Sequence, residues 1–254
     1  MSFDACETRV KAGDPDRWLS AQSAPPEARR TLMAIYAVNL EIARAPWASP
    51  EPLVAQIRLQ WWADEIGKIY HGEPVTTHEI LPALREVIFD HNLPRDMFET
   101  LIKARHFDLG TAPHKGRAGF DRYIIGTAGS VMGLAACALG ATPAQLRVIH
   151  DFAYGAGVAA LLRAAPALQA RGHAPLLDDM SDVIIEAQNR IAKARKQRRL
   201  LPPALAPALF AGWRADATLA HAGKHPEDIA RGLLEESPAR KMSTLRWRRL
   251  TGRW

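Results

Sequence analysis

Between Arg122 and Arg147 the chain runs for 24 residues without a charged side chain. A stretch this long is either a membrane span or a helix buried inside a bundle, because an ordinary strand needs only about five or six residues. Its composition separates the two. Gly126, Gly129, Gly133 and Gly140, with several alanines and threonines, dilute the surface that about 20 predominantly apolar residues would offer to lipid. A buried helix is expected. A second segment, FAYGAGVAALLRAAPAL at 152–168, has the same small-residue character. Glycine costs about 1 kcal/mol against alanine inside a helix, so its repetition calls for close helix packing or for room for a ligand between helices. Both readings stay open at this point.

Strand signals are nearly absent, while helical periodicity recurs along most of the length. It predicts helices over 27–45, 50–71, 77–91, 95–109, 117–139, 143–171, 179–200, 203–222 with a break, 226–236 and 240–250. Thr76 with Glu79 reads as a capping box. Thr142 with Pro143 and Gln145 reads as a second, after Gly140 closes the preceding helix. The proline-rich piece PPALAP at 202–207 is a turn between helices, and no repeat or flexible linker divides the chain. The expectation is one all-α domain over 1–254, with a basic Trp/Arg tail at 238–254.

The formal charge of +6 is unevenly distributed. Residues 189–200 and 238–254 each hold six basic and no acidic side chains, leaving 21 basic against 27 acidic residues elsewhere. A mildly acidic body thus carries two basic stretches. For 189–200 a solvated helix face suffices. In the tail, Arg246, Trp247, Arg248, Arg249, Arg253 and Trp254 interleave aromatic and basic groups, which suits an anionic membrane surface. No nucleic-acid module is present, so nucleic acid is not the expected partner. Cys6 and Cys137 match no zinc or thioredoxin-like spacing, which points to a reducing compartment. The charged N-terminal segment lacks the apolar core of an export signal, so a cytoplasmic location is expected, with a place on the inner face of the membrane as the extension of the tail reading.

Candidate chemistry is sparse. Asp178, Asp179 and Asp182 form a literal DDxxD whose carboxylates could bridge magnesium to a diphosphate. They also follow Gly172 and Pro175 at the start of a helical pattern, where acids cap free N–H groups and face the positive helix end; capping is the preferred reading. Glu41, Asp64, Glu65 and Asp108 are scattered, the histidines show no metal-binding pair, and there is no nucleophile elbow, phosphate loop or dinucleotide fingerprint.

Four segments in order carry a resemblance: DPDRWLSAQSAPPEARRTLMAIY from Asp14 to Tyr36, IRLQWWADEIGKIY from Ile57 to Tyr70, DRYIIGTAGSVMG from Asp121 to Gly133, and GAGVAALLRAAP from Gly155 to Pro166. Together they resemble the squalene/phytoene synthase family. That resemblance implies the isoprenoid synthase fold, an all-α bundle around a central cavity, and two aspartate-rich motifs that hold magnesium and substrate diphosphates. At the place of the first motif this chain reads Ile42-Ala43-Arg44-Ala45-Pro46, and at the second Ala160 and Ala164 flank a retained Arg163. Asn39-Leu-Glu41-Ile-Ala43 and Leu162-Arg163-Ala164-Ala165-Pro166 are instead similar to a divergent branch that includes an assembly factor of mitochondrial complex I.

The resemblance implies cavity and ligand positions at Tyr36, Asn39, Glu41, Arg58, Gln60, Trp61, Asp108, Tyr123, Gly129 and Arg163. The same groups could equally form a buried polar network tying helices together. The expected function is a non-catalytic protein that binds an isoprenoid or other lipid, needs no cofactor, and acts with respiratory-complex subunits at the membrane surface. The alternative is a magnesium-dependent prenyltransferase joining two prenyl diphosphates head to head, with Glu41, Asp108 and the acids at 178–182 converging on one metal site.

Overall fold

Proline opens most of the long helices, and glycine in a left-handed conformation closes several. The computed structural model describes residues 2–49 and 51–254. In chain order the helices are α1 (Ser2–Gly13), α2 (Pro15–Ala21), α3 (Pro26–Arg44), α4 (Pro52–His71), α5 (Leu81–Asp90), α6 (Arg95–Arg105), α7 (Gly116–Ile124), α8 (Ser130–Ala138), α9 (Pro143–Gln169), α10 (Ser181–Lys196), α11 (Ala206–Leu209), α12 (Ala215–Lys224), α13 (Glu227–Ala230) and α14 (Pro238–Thr251). No strand occurs among the described residues. The bundle is all-α, as expected.

The uncharged stretch is largely buried as far as Ala138, but it is not one helix: a turn follows, and Gly140 and residues 142–144, at the start of α9, are exposed. A π-helical turn at Ile125–Gly129 joins α7 to α8, and Val131, Leu134, Ala135 and Ala136 are buried in the core. Among the described residues no helix is long and apolar enough to cross a membrane. Beside it runs α9, which continues through Pro166 and packs on α8, α10 and α12.

The small residues serve both purposes left open above, on different faces. A Cβ at Gly157 would lie 2.5 Å from the Ala128 Cβ, and one at Gly155 would lie 2.5 Å from Ile191 and 2.7 Å from the Ala187 carbonyl. These glycines allow α9 to approach the π turn and α10. Ala160 and Ala164, by contrast, are exposed and face a cleft.

Some expectations need correction. The N-terminal segment, given no helix, forms α1 and α2; Asp14 accepts from the Arg17 N–H (3.0 Å) as a cap with Pro15 at the first helical position. The capping box at Thr142 and Gln145 is present, but the one at Thr76 and Glu79 is not. Thr76 donates both its N–H and its hydroxyl (each 2.7 Å) to buried Glu65, Glu79 pairs with Arg9, and α5 starts later, at Leu81. A buried carboxylate needed donors more than a helix end needed a cap. The expected helix 226–236 shrinks to Glu227–Ala230, and Pro50, the first residue of the expected helix 50–71, lies outside the described residues.

Candidate functional site

The cleft lies between α3, the π turn and α9. It has a volume of about 270 Å3 and is lined by Asn39 and Ala43 of α3, Trp47, Arg105, Asp108, Tyr123, Thr127 and the α9 face bearing Gly157, Ala160 and Ala164. Small ligand pockets begin at about 300 Å3, so it matches a single slender molecule. A smaller chamber of about 50 Å3 shares Arg17, Ala128, Gly157 and Ala160 with it and adds Tyr36, Arg163, Trp213 and Arg214.

Charge on these walls is largely paired. Arg105 Nη1 donates to Asp108 (3.0 Å) and to the Tyr123 oxygen (3.0 Å), and the Tyr123 hydroxyl donates to the other Asp108 oxygen (3.0 Å). Burial, with the Asp108 carboxylate opposing ionisation, pushes the Tyr123 hydroxyl well above its ordinary pKa. Arg17 pairs with Asp14 (2.8 Å), and Arg214, buried behind Trp213, pairs with Asp16 (2.5 Å) and Glu235 (2.8 Å). Arg163 has the poorest set of partners: the Thr218 hydroxyl at 2.9 Å, the Ala159 carbonyl at 3.2 Å, and Glu235 only at 4.0 Å. Burial and then the neighbouring Arg214 charge bring its pKa down to about 10.

Several polar atoms are left over: the Nε atoms of Arg17, Arg105 and Arg214 are buried without a hydrogen-bond partner, and so is one hydroxyl. The Tyr36 hydroxyl is buried without a hydrogen-bond partner, under the Arg17 guanidinium at 5.7 Å from the ring centre. Such a group costs about 1–3 kcal/mol unless something bonds it.

The structure brings together Tyr36, Asn39, Asp108, Tyr123 and Arg163 on the cleft and its chamber. Others from the expected set lie elsewhere. Glu41 faces away from the cleft and pairs with Arg9 of α1 (2.6 Å), at a separate depression with Arg58, Trp61, Trp62 and His78. Gln60 is exposed and donates to Asp64 (2.8 Å) one turn on, because the α4 face it occupies points outward. Gly129 is buried but does not line the cleft; a Cβ there would meet only Ile125 of its own turn, at 3.7 Å. Asp178, Asp179 and Asp182 are exposed at the start of α10, where Asp179 accepts from the Ser181 N–H (2.8 Å) and is lowered in pKa by that bond. The acids at 178–182, Asp108 and Glu41 therefore sit in three places, and the convergence required by the prenyltransferase alternative is absent.

The positions where the family resemblance puts its two aspartate motifs do meet. Ala43, with Trp47 just beyond the first motif place, lines the cleft together with Ala160 and Ala164 of the second. Magnesium takes hard oxygen ligands, and the only carboxylate on this cleft, Asp108, is committed to Arg105 and Tyr123. Among the described residues no group of three His, Cys, Asp or Glu side chains could hold a metal. The donor set does not fit the ion.

Residues 10–176 match the squalene/phytoene synthase family. The chain belongs to that family. Solved structures agree on the fold: squalene synthase HpnC from Alicyclobacillus acidocaldarius superposes with a TM-score of 0.76 at 18% identity, covering 89% of this chain and 94% of that one. A dehydrosqualene synthase solved with a ligand gives 0.67 at 17% identity, covering 97% and 94%. In sequence, this family member is 24% identical over 165 residues to the NADH dehydrogenase (ubiquinone) complex I assembly factor 6 of Mus musculus, covering 63% of this chain and 48% of that protein. The Drosophila melanogaster homolog of that factor is 30% identical over 105 residues, covering 39% and 31%. The chain thus spans about half the length, or less, of these relatives.

Sequence reasoning missed Arg17, Arg105 and Arg214, which carry most of the cleft's charge pairing. Asp14-Pro15 was the available signal for Arg17, since it caps the helix that presents it. Nothing local marked the other two.

Proposed function

We propose that this protein is a non-catalytic member of the squalene/phytoene synthase family that holds one isoprenoid or related lipid chain in its cleft and works at a membrane surface in the assembly of a respiratory complex. The observation that carries this reading is the carboxylate-free surface of Ala43, Ala160 and Ala164 at the two motif positions, with Trp47 beside them. Ionising an allylic diphosphate requires the leaving group's charge to be neutralised, and a cleft whose arginines are mostly engaged by their own acids offers little toward that. The small volume of the cleft further supports one chain over the two that head-to-head condensation needs. The likeness to assembly factors of NADH dehydrogenase supports the biological setting, and the free Tyr36 hydroxyl would bond a neutral polar end of the ligand.

Deleting the gene in its host should lower the amount of assembled NADH dehydrogenase while sterol or carotenoid precursors stay unchanged. Normal complex levels would sink the assembly reading. Incubation of the purified protein with farnesyl or geranylgeranyl diphosphate and magnesium should release no pyrophosphate, and release would establish the prenyltransferase alternative.

A further inference from the structure

The two basic stretches, separate in sequence, meet in space. Arg195 and Arg198, from the end of α10 and the turn after it, line a pocket of about 730 Å3 together with Arg248 and Arg253 from α14 and its end. Its only carboxylate side chain is Asp216, and that is already taken: Arg195 grips it through two bonds (2.8 and 2.7 Å) and Arg248 bonds it as well. Burial would raise the Asp216 pKa, but those arginines more than offset it, so the acid stays charged and cannot take up more positive charge.

Arg248 is only 7% exposed, and its buried Nε has no hydrogen-bond partner. Arg198 and Arg253 have no acidic partner among the described residues. Asp216 and the main-chain oxygen of Trp254 occupy Arg195, and Asp216 occupies Arg248, which leaves Arg198 and Arg253 to take an anion; the planar N–H forks of arginine match the oxygens of a phosphate group.

The surroundings specify where that phosphate comes from. On α14, Met242, Trp247 and Leu250 are 40, 51 and 88% exposed, beside exposed Arg246 and Arg249. The opposite side of the helix, with Leu245 and Arg248, is buried against the bundle. An apolar and basic face turned outward is the arrangement of a helix lying in the interface of an anionic membrane. Trp254, expected from the sequence to share that role, does not: its ring is buried, edge-on to Phe152 at 4.9 Å, and its main-chain oxygen accepts from Arg195 (2.8 Å) at the pocket wall. The membrane reading of Trp254 and Arg248 is corrected accordingly; both build the pocket from inside.

We propose that this pocket binds the phosphate of an anionic phospholipid headgroup while Trp247 and Leu250 enter the bilayer interface. The inference deepens the membrane-surface part of the proposed function and rests on it. The test is flotation of the full-length protein with vesicles of phosphatidylcholine alone or mixed with phosphatidylglycerol. Wild type should bind only the mixed vesicles. The double variant Arg198→Gln/Arg253→Gln, which spares the Asp216 cluster, should lose about tenfold in affinity. Arg246→Gln/Arg249→Gln removes the same charge from outside the pocket and should lose about threefold or less. Circular dichroism melts confirm that both variants fold. Equal losses would overturn the pocket but keep the membrane reading, whereas no binding of wild type to the mixed vesicles would overturn both. Inorganic phosphate at constant ionic strength should compete weakly; full competition at low millimolar concentration would make this a free-phosphate site and overturn the lipid assignment.

Discussion

The cleft at the centre of the bundle and the pocket under α14 are both lined with arginine, yet their charges are arranged in opposite ways. In the cleft and its chamber Arg105 faces Asp108, Arg17 faces Asp14 and Arg214 faces Asp16 and Glu235. Under α14, Arg195 and Arg248 share Asp216, while Arg198 and Arg253 line the same pocket with no acidic partner among the described residues. A paired arginine is a structural cross-link that adds little field, while an unpaired one attracts an anion from outside. On the proposed reading the cleft takes an apolar guest, and an anion would be bound at the periphery.

The comparison breaks most decisively at Asp108. Replacing it with Leu leaves the Arg105 guanidinium and the Tyr123 hydroxyl without their shared acceptor, and should cost about 3–5 kcal/mol in urea denaturation. A neutral result would mean that the cleft arginines are not held by their acids. Asp216→Asn should cost less, about 1–3 kcal/mol, because that side chain is 40% exposed and water screens what it leaves behind.

Acidification should separate the two regions by pH window. His114 stacks on Phe107 at 3.8 Å beside Tyr123, and burial lowers its pKa. A lowered histidine contributes stability that is complete above the ordinary value of about 6.5 and is lost as pH falls below it. Asp216 is lowered too, but for a carboxylate that contribution is present above about 3.9 and disappears only as pH falls through its folded value. Hydrogen exchange should therefore show the helices around His114 losing protection between pH 7 and 5, while the link from α10 to α14 through Asp216 of α12 is retained. Simultaneous loss would contradict the assignment.

The smallest stability change, within about 0.5 kcal/mol, is expected for Ala164→Phe, because Ala164 faces open space in the cleft. Lipid that co-purifies with wild type should nevertheless be displaced, as read by mass spectrometry of solvent extracts. Retained lipid would locate the guest elsewhere.

Much of the bundle was legible in the sequence because its signals are local. Pro26, Pro52 and Pro143 start helices, Thr142 and Gln145 form their box, and the small residues of α8 and α9 announce close approach. The failures came where a distant group competed for a local one. Thr76 looked like a cap until buried Glu65 claimed it, whereas Glu41, about 200° round α3 from Asn39 and Ala43, faces the other side by helix geometry and meets Arg9 there. Half of the candidate site followed from the family pattern, while Arg105 and Arg214 carry no pattern of their own.

By itself the sequence determined the helical class, the largely buried character of 123–138, the family, and the lack of aspartates at both motif positions. It also contained the two basic stretches, though only as separate runs that a solvated face and a membrane tail would explain. Their meeting around one carboxylate was decided by the tertiary structure. Helical periodicity and capping act over a few residues, whereas the partner of a charge is whichever group the packed helices bring within a few ångströms.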